Sequence, residues 1–119
     1  MRYILLIHTD EQAAATQIYS DPAKAQAYRD EWMSYTGDLQ SSGLMTAGDA
    51  LQPTSTATTV RVNGGKPIVS DGPYAETKEA LGGFYIIDAP NLDEAIAWAS
   101  KMPHMAGGGA VEVRPIMEM

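Results

Sequence analysis

No cysteine occurs among the 119 residues, which excludes a disulfide framework, a thiol nucleophile and a thiolate-ligated metal. Basic side chains are scarce as well: 8 Lys and Arg stand against 15 Asp and Glu, a formal net charge of −7 at pH 7. A surface so charged repels phosphate, so nucleic acid and anionic membranes are poor partners for any broad face of the molecule. Long hydrophobic runs are missing too. The N-terminal run Tyr3-Ile4-Leu5-Leu6-Ile7 falls far short of the ~20 residues that span a bilayer, and no small-residue cleavage site follows it, so a cytoplasmic protein is expected. No Ser sits in a nucleophile elbow, and Gly107-Gly108-Gly109 lacks the Lys-Ser/Thr of a phosphate-binding loop. Neither a metal nor a cofactor is expected.

What remains is one domain, residues 1–119, large enough for a core of its own. Tyr3 to Ile7, apolar at every position and closed by His8-Thr9-Asp10, reads as a strand buried on both faces. Residues 9 to 20 have no clear period and read as a loop or short helical turn around Ala13-Ala14-Ala15. Asp21-Pro22 is a helix start, and Ala25, Tyr28, Trp32, Tyr35 and Leu39 share one face of a helix that Gly43 ends. Leu44 to Leu51 is extended, and Thr56 to Val62 and Lys66 to Ser70 flank the hairpin signal Asn63-Gly64-Gly65. Gly83 to Ala89 is a second strand apolar on both faces. Asn91 and Glu94 form a capping box for a short helix that Pro103 stops, and Val111 to Ile116 alternates as a half-exposed strand does.

Between the hairpin and the strand at 83 lies the stretch richest in chemistry, Ser70 to Phe84. Asp71-Gly72-Pro73 sets a sharp reversal: Gly accepts positive φ, Pro presets φ near −65°, and Asp can bond its own turn. Tyr74, Glu76, Lys78 and Glu79 follow, four side chains able to exchange protons or bind ligands. In an enzyme, Asp71 or His8 would accept a proton, Tyr74 or Lys78 would stabilise developing negative charge, and Glu76 and Glu79 would orient them beside Gly72 and Pro73. The plainer alternative is a strand-end turn followed by a solvated charged loop. His8 likewise has a plain reading, as a hydrogen-bonded strand-end histidine. His104 with Met102 and Met105 fits a helix end and core edge better than a soft-metal site.

With the 57–70 hairpin set aside, the order is strand, helix, strand, strand, helix, strand. That is the α+β ferredoxin-like βαββαβ pattern, whose sheet order 4-1-3-2 puts the two fully apolar strands in the centre. Two helices cover one face of such a sheet, so the other face predicts a second subunit.

Taken together, Tyr3 to Ile7, Ala57 to Arg61, Asp71-Gly72-Pro73-Tyr74, Ala75 to Glu79 with Gly82-Gly83-Phe84, Leu92 to Ala95 with Trp98, and Val111 to Pro115 resemble the YCII-related family. Within it they are similar to the DGPF-domain subgroup, with Tyr74 in place of Phe. The resemblance implies a homodimer of the dimeric α/β barrel type with small-molecule clefts near the subunit interface. It also implies either an acid/base enzyme of lyase or isomerase type or a non-catalytic ligand-binding or regulatory dimer linked to sigma-factor signalling. The His/Asp dyad of shorter YCII-like proteins is not carried over: the first helix holds no His, and Met102 stands about where the Asp would fall.

Overall fold

In the computed structural model, which describes all 119 residues, the chain forms six strands and three α-helices. They run in the order β1 (Arg2–Thr9), α1 (Glu11–Gln17), α2 (Pro22–Ser41), β2 (Met45–Ala50), β3 (Thr58–Asn63), β4 (Lys66–Asp71), β5 (Ala80–Asp88), α3 (Leu92–Ser100) and β6 (Ala110–Pro115). Short 3-10 turns occupy Thr54–Thr56 and Pro103–Gly107. Four strands make an antiparallel sheet in the order β2-β5-β1-β6, the ferredoxin-like arrangement, while β3 and β4 pair only with each other as a separate ribbon. No helix is long and apolar enough to cross a membrane.

Local chemistry explains most of these boundaries. The Asp21 carboxylate accepts from the Ala23 N–H and Pro22 opens α2, where its missing donor costs nothing. Asn91 caps α3 by accepting from the Glu94 N–H at 2.9 Å. Between β3 and β4, Gly64 and Gly65 have φ of 59° and 78°, the two positive values that a tight hairpin turn of matching twist requires.

Alternation along the central strands separates two faces. Tyr3, Leu5 and Ile7 of β1 and Tyr85 and Ile87 of β5 are buried under Tyr35 and Leu39 of α2, Ala95 of α3 and Met102. Aromatic rings knit this layer edge to face: Tyr35 meets Trp32, Tyr85 and Trp98 at 5.6 to 6.1 Å. On the other face Ile4 and Leu6 lie opposite Ile86 and Phe84 and are only partly covered. None of these four belongs to the buried core.

Three expectations need correction. Residues 11–17 are a full helix, capped by the Asp10 carboxylate on the Ala13 N–H at 3.0 Å, although α1 buries no residue and so shows no apolar stripe. Strand β5 begins at Ala80 rather than Gly83, because a bulge at Gly82 lets the ladder with β1 continue past Ile7 to His8 and Thr9. Pro103 does end α3, yet it also opens a 3-10 turn, which brings His104 back into the core.

Candidate functional site

The Asp71-Gly72-Pro73 reversal is built as its residue types demand, but by different bonds. Gly72 has φ of 101°, where a side chain would be strained. Its N–H donates to the Ala57 carbonyl at 2.8 Å, and the Thr59 hydroxyl donates to the Gly72 carbonyl at 2.8 Å. Backbone and Thr59 therefore hold the turn, leaving the Asp71 carboxylate exposed at the end of β4.

Beyond the turn, Gly72, Pro73 and residues 75–78 form one wall of a cavity of about 840 Å³ whose other walls are the start of α1 and the 3-10 turn at Thr54. Its volume is within the ordinary range for small-molecule sites. Of the residues expected to form a site, Gly72, Pro73, Glu76 and Lys78 line it. His8, Asp71, Tyr74 and Glu79 do not. His8 is half-buried in β1 opposite Leu81 and Ala110. Tyr74 is 76% exposed beneath the Arg61 guanidinium, 5.0 Å from its ring centre. Glu79 is exposed, its carbonyl taking the Thr77 hydroxyl.

Two further carboxylates enter the cavity from a region with no sequence pattern, and both are already engaged. Asp10 caps α1. Glu11 grips Thr54 with both oxygens, accepting from its N–H at 3.0 Å and its hydroxyl at 2.7 Å, and so ties helix to loop across the cavity floor. The ion pairs of the chain lie elsewhere, at Met1–Asp88, Arg2–Glu118 and Glu112–Arg114. Glu76 and Lys78 are thus the carboxylate and ammonium left to meet a ligand. No group of three or more His, Asp or Glu side chains is placed to hold a metal.

A smaller cavity of about 380 Å³ lies between α2 and α3. Two of its polar groups are engaged: the Tyr35 hydroxyl donates to the Trp98 carbonyl at 2.9 Å, and the Lys101 ammonium sits 4.7 Å over the Trp98 ring. Nearby lies His104, expected at a helix end and core edge and found buried there. Its ring stacks on Trp32 at 5.5 Å, its Nε2–H donates to the Ala110 carbonyl at 3.0 Å, and its Nδ1 is buried without a partner. Burial pushes its pKa down; the hydrogen bond to Ala110 and the charge of Glu79 oppose the shift, and His8 adds to it. Gly109 makes room for it, since any β-carbon there would overlap the His104 ring.

A profile of the YCII-related domain matches residues 1–119. The chain belongs to the YCII-related family. An uncharacterized protein of Rhizobium meliloti (strain 1021) is 37% identical over 117 residues, 98% of this chain and 92% of that protein. Among solved structures, this YCII-related chain is similar to 5-chloro-2-hydroxyhydroquinone dehydrochlorinase (TftG) from Burkholderia phenoliruptrix AC1100 in complex with 2,5-dihydroxybenzoquinone. That likeness covers 100% of this chain and 96% of the dehydrochlorinase, with a TM-score of 0.50 and 17% sequence identity. At such identity it speaks for the fold.

Proposed function

We propose that this YCII-related protein, with a turn that fits the DGPF subgroup, is a small-molecule acid/base enzyme of lyase or isomerase type. The observation that carries the reading is the cavity that Glu76 and Lys78, unpaired within the chain, line together with Gly72 and Pro73. The Glu76 carboxylate takes a proton from a carbon next to a carbonyl, and the electron pair moves onto the carbonyl oxygen as the C=O becomes a C=C enolate. Lys78 then holds the resulting oxyanion. Collapse of this enolate expels a leaving group in a lyase, or regains the proton at another carbon in an isomerase. Asp71 and Tyr74, which do not line the cavity, take no part in this step. An enzyme of the same fold whose name describes loss of chloride from a hydroxylated ring is compatible with such chemistry.

The reading includes a homodimer joined through the open sheet face, because Ile4, Leu6, Phe84 and Ile86 would otherwise stay partly wet. Light scattering at micromolar concentration should give twice the 12.8 kDa of one chain.

The direct test is titration with 2,5-dihydroxybenzoquinone, followed by absorbance. Saturable binding that Lys78→Met weakens about tenfold or more, the size of one charge-assisted hydrogen bond, supports the site. Equal binding by wild type, Lys78→Met and Glu76→Gln would remove it. The exposure of Asp71, Tyr74, Glu76, Lys78 and Glu79 alike favours a second reading, a non-catalytic ligand-binding or regulatory dimer tied to sigma-factor signalling. Deuterium uptake at carbon in a small molecule retained by the purified protein, followed by NMR, separates the two, since only the enzyme exchanges a C–H proton.

A further inference from the structure

The ribbon of β3 and β4 is patterned for a core that its own chain does not provide. Register places Val60 opposite Val69 and Val62 opposite Pro67, so these four side chains share one face, while Arg61 and Ile68 share the other with Thr59 and Ser70. Alternation of this kind belongs to an antiparallel ribbon with one face packed and one wet. Here, however, Val60, Val62 and Val69 are 60%, 70% and 63% exposed. A lone two-stranded ribbon is at best marginal in water.

The shape of the chain agrees. Its radius of gyration is 16.2 Å and its extents are 47 × 45 × 19 Å, whereas a compact chain of this length would have a radius of about 13.5 Å. The ribbon, with strands of six residues that pair only with each other, adds no residue to the buried core.

We infer that the Thr58–Asp71 ribbon is an arm that docks by its valine face on a second copy of this chain. The inference rests on the dimer reading above and adds to it the surface that makes the dimer stable. A standard interface takes about 800 Å² from each partner, a little over half of it apolar. The half-covered Ile4, Leu6, Phe84 and Ile86 offer only part of that, and the valine face with Pro67 adds roughly 250 Å² of apolar surface per arm. One chain thus carries two unpartnered apolar surfaces, and a two-fold axis buries both at once. Charge agrees with a like partner as well: the valine face is uncharged until Asp71 at its base, so two copies of this −7 chain meet there without repulsion. Since Gly72 is bonded to Ala57 and Thr59 at the root of the arm, docking also fixes the cavity wall.

Three variants test the arm separately from the dimer. Val60→Thr, Val62→Thr and Val69→Thr combined keep strand propensity but remove the apolar face, and should raise the dimer dissociation constant by tenfold or more. Ile68→Thr, on the opposite face, should leave it unchanged. In a chain free of cysteine, Val62→Cys carrying an environment-sensitive dye should shift to the blue as concentration rises through the dimer transition, which keeps the test alive if the triple variant misfolds. A wild-type monomer would sink dimer and arm together. A wild-type dimer in which the dye stays in water at every concentration, or the triple variant associates as tightly as wild type, would sink the arm and leave the dimer standing.

Discussion

The four-stranded sheet with its helices and the 58–79 ribbon and loop are built from the same alternation of apolar and polar residues, yet they use it differently. In the sheet, Tyr3, Leu5, Ile7, Tyr85 and Ile87 find Tyr35, Leu39 and Ala95 across a closed layer. In the ribbon, Val60, Val62 and Val69 meet each other across the strands and stay 60 to 70% exposed. The lesson is that patterning reports the burial a segment is built for, whichever chain supplies the cover. The cavity lies at the seam between these regions, with α1 contributed by the body and Gly72, Pro73 and residues 75–78 by the ribbon side.

The largest expected effect sharpens that contrast. Leu39 is fully buried, so Leu39→Ala should lose about 2–5 kcal/mol in urea unfolding, by the same amount at every protein concentration. Val60→Ala should behave oppositely. Its cost should shrink to within about 0.5 kcal/mol as the protein is diluted to monomer. A Val60→Ala loss that does not change with concentration would mean that the ribbon is packed on its own body after all.

Gly72→Val should come next, at about 1–2 kcal/mol, the order of the penalty for placing a β-carbon in the left-handed region. Nothing crowds a β-carbon at this site, so the loss arises from φ alone, and binding in the cavity should weaken with it. Gly72→Ala giving unchanged stability and unchanged probe binding would show that the turn relaxes freely.

Much of the body was legible in sequence because its signals are local. Asp21-Pro22, Asn91 with Glu94, and Gly64-Gly65 each fix a boundary through bonds to near neighbours. The two central strands announced themselves by being apolar on both faces. Helix α1 was not legible, since a helix that buries nothing carries no stripe, and its cap Asp10 had only Ala13 as partner. Nor was the cavity. It depends on Glu11 reaching Thr54 across 43 positions of sequence, and no spacing rule connects a helix start to a 3-10 turn so far along the chain. His8 and Asp71 looked alike as polar strand ends, whereas the bulge at Gly82 and the backbone pairing of Gly72 leave both outside the cavity.

A smaller effect should appear with pH, and it belongs to the body. His104 is held neutral by burial against Trp32, bonded to Ala110 of β6, with Glu79 and His8 the nearest charged or titratable groups acting on it. Its folded pKa lies below its ordinary value of 6.5, so between those two values the unfolded chain binds a proton that the folded chain refuses. Stability from this group is complete above pH 6.5 and is lost as pH falls below it. The melting temperature should therefore decline on acidification from 6.5, and His104→Gln should flatten the decline in that window. The Arg2–Glu118 pair acts lower, since the hydrogen bond from Arg2 holds Glu118 below its ordinary 4.5, and Arg2→Gln should leave the His104 window unaltered.

The smallest effect should come from the polar face of the ribbon, where the Arg61 guanidinium lies 5.0 Å from the centre of the Tyr74 ring. Both side chains are exposed, so water and salt screen the attraction, and a cation–π contact in this setting is worth about 0.5–1 kcal/mol. The contact links β3 to the loop just past Pro73, so it can steady the loop but not bury it. A double-mutant cycle of Arg61→Ala and Tyr74→Ala, read by chemical unfolding, should give a coupling at or below about 1 kcal/mol. If docking of the arm orders this face as well, the coupling should grow with protein concentration as the dimer forms. A coupling above about 1 kcal/mol that persists on dilution would show instead that Arg61 and Tyr74 form a rigid part of the single chain, and the contrast between a packed body and a free ribbon would have to be redrawn at residue 74.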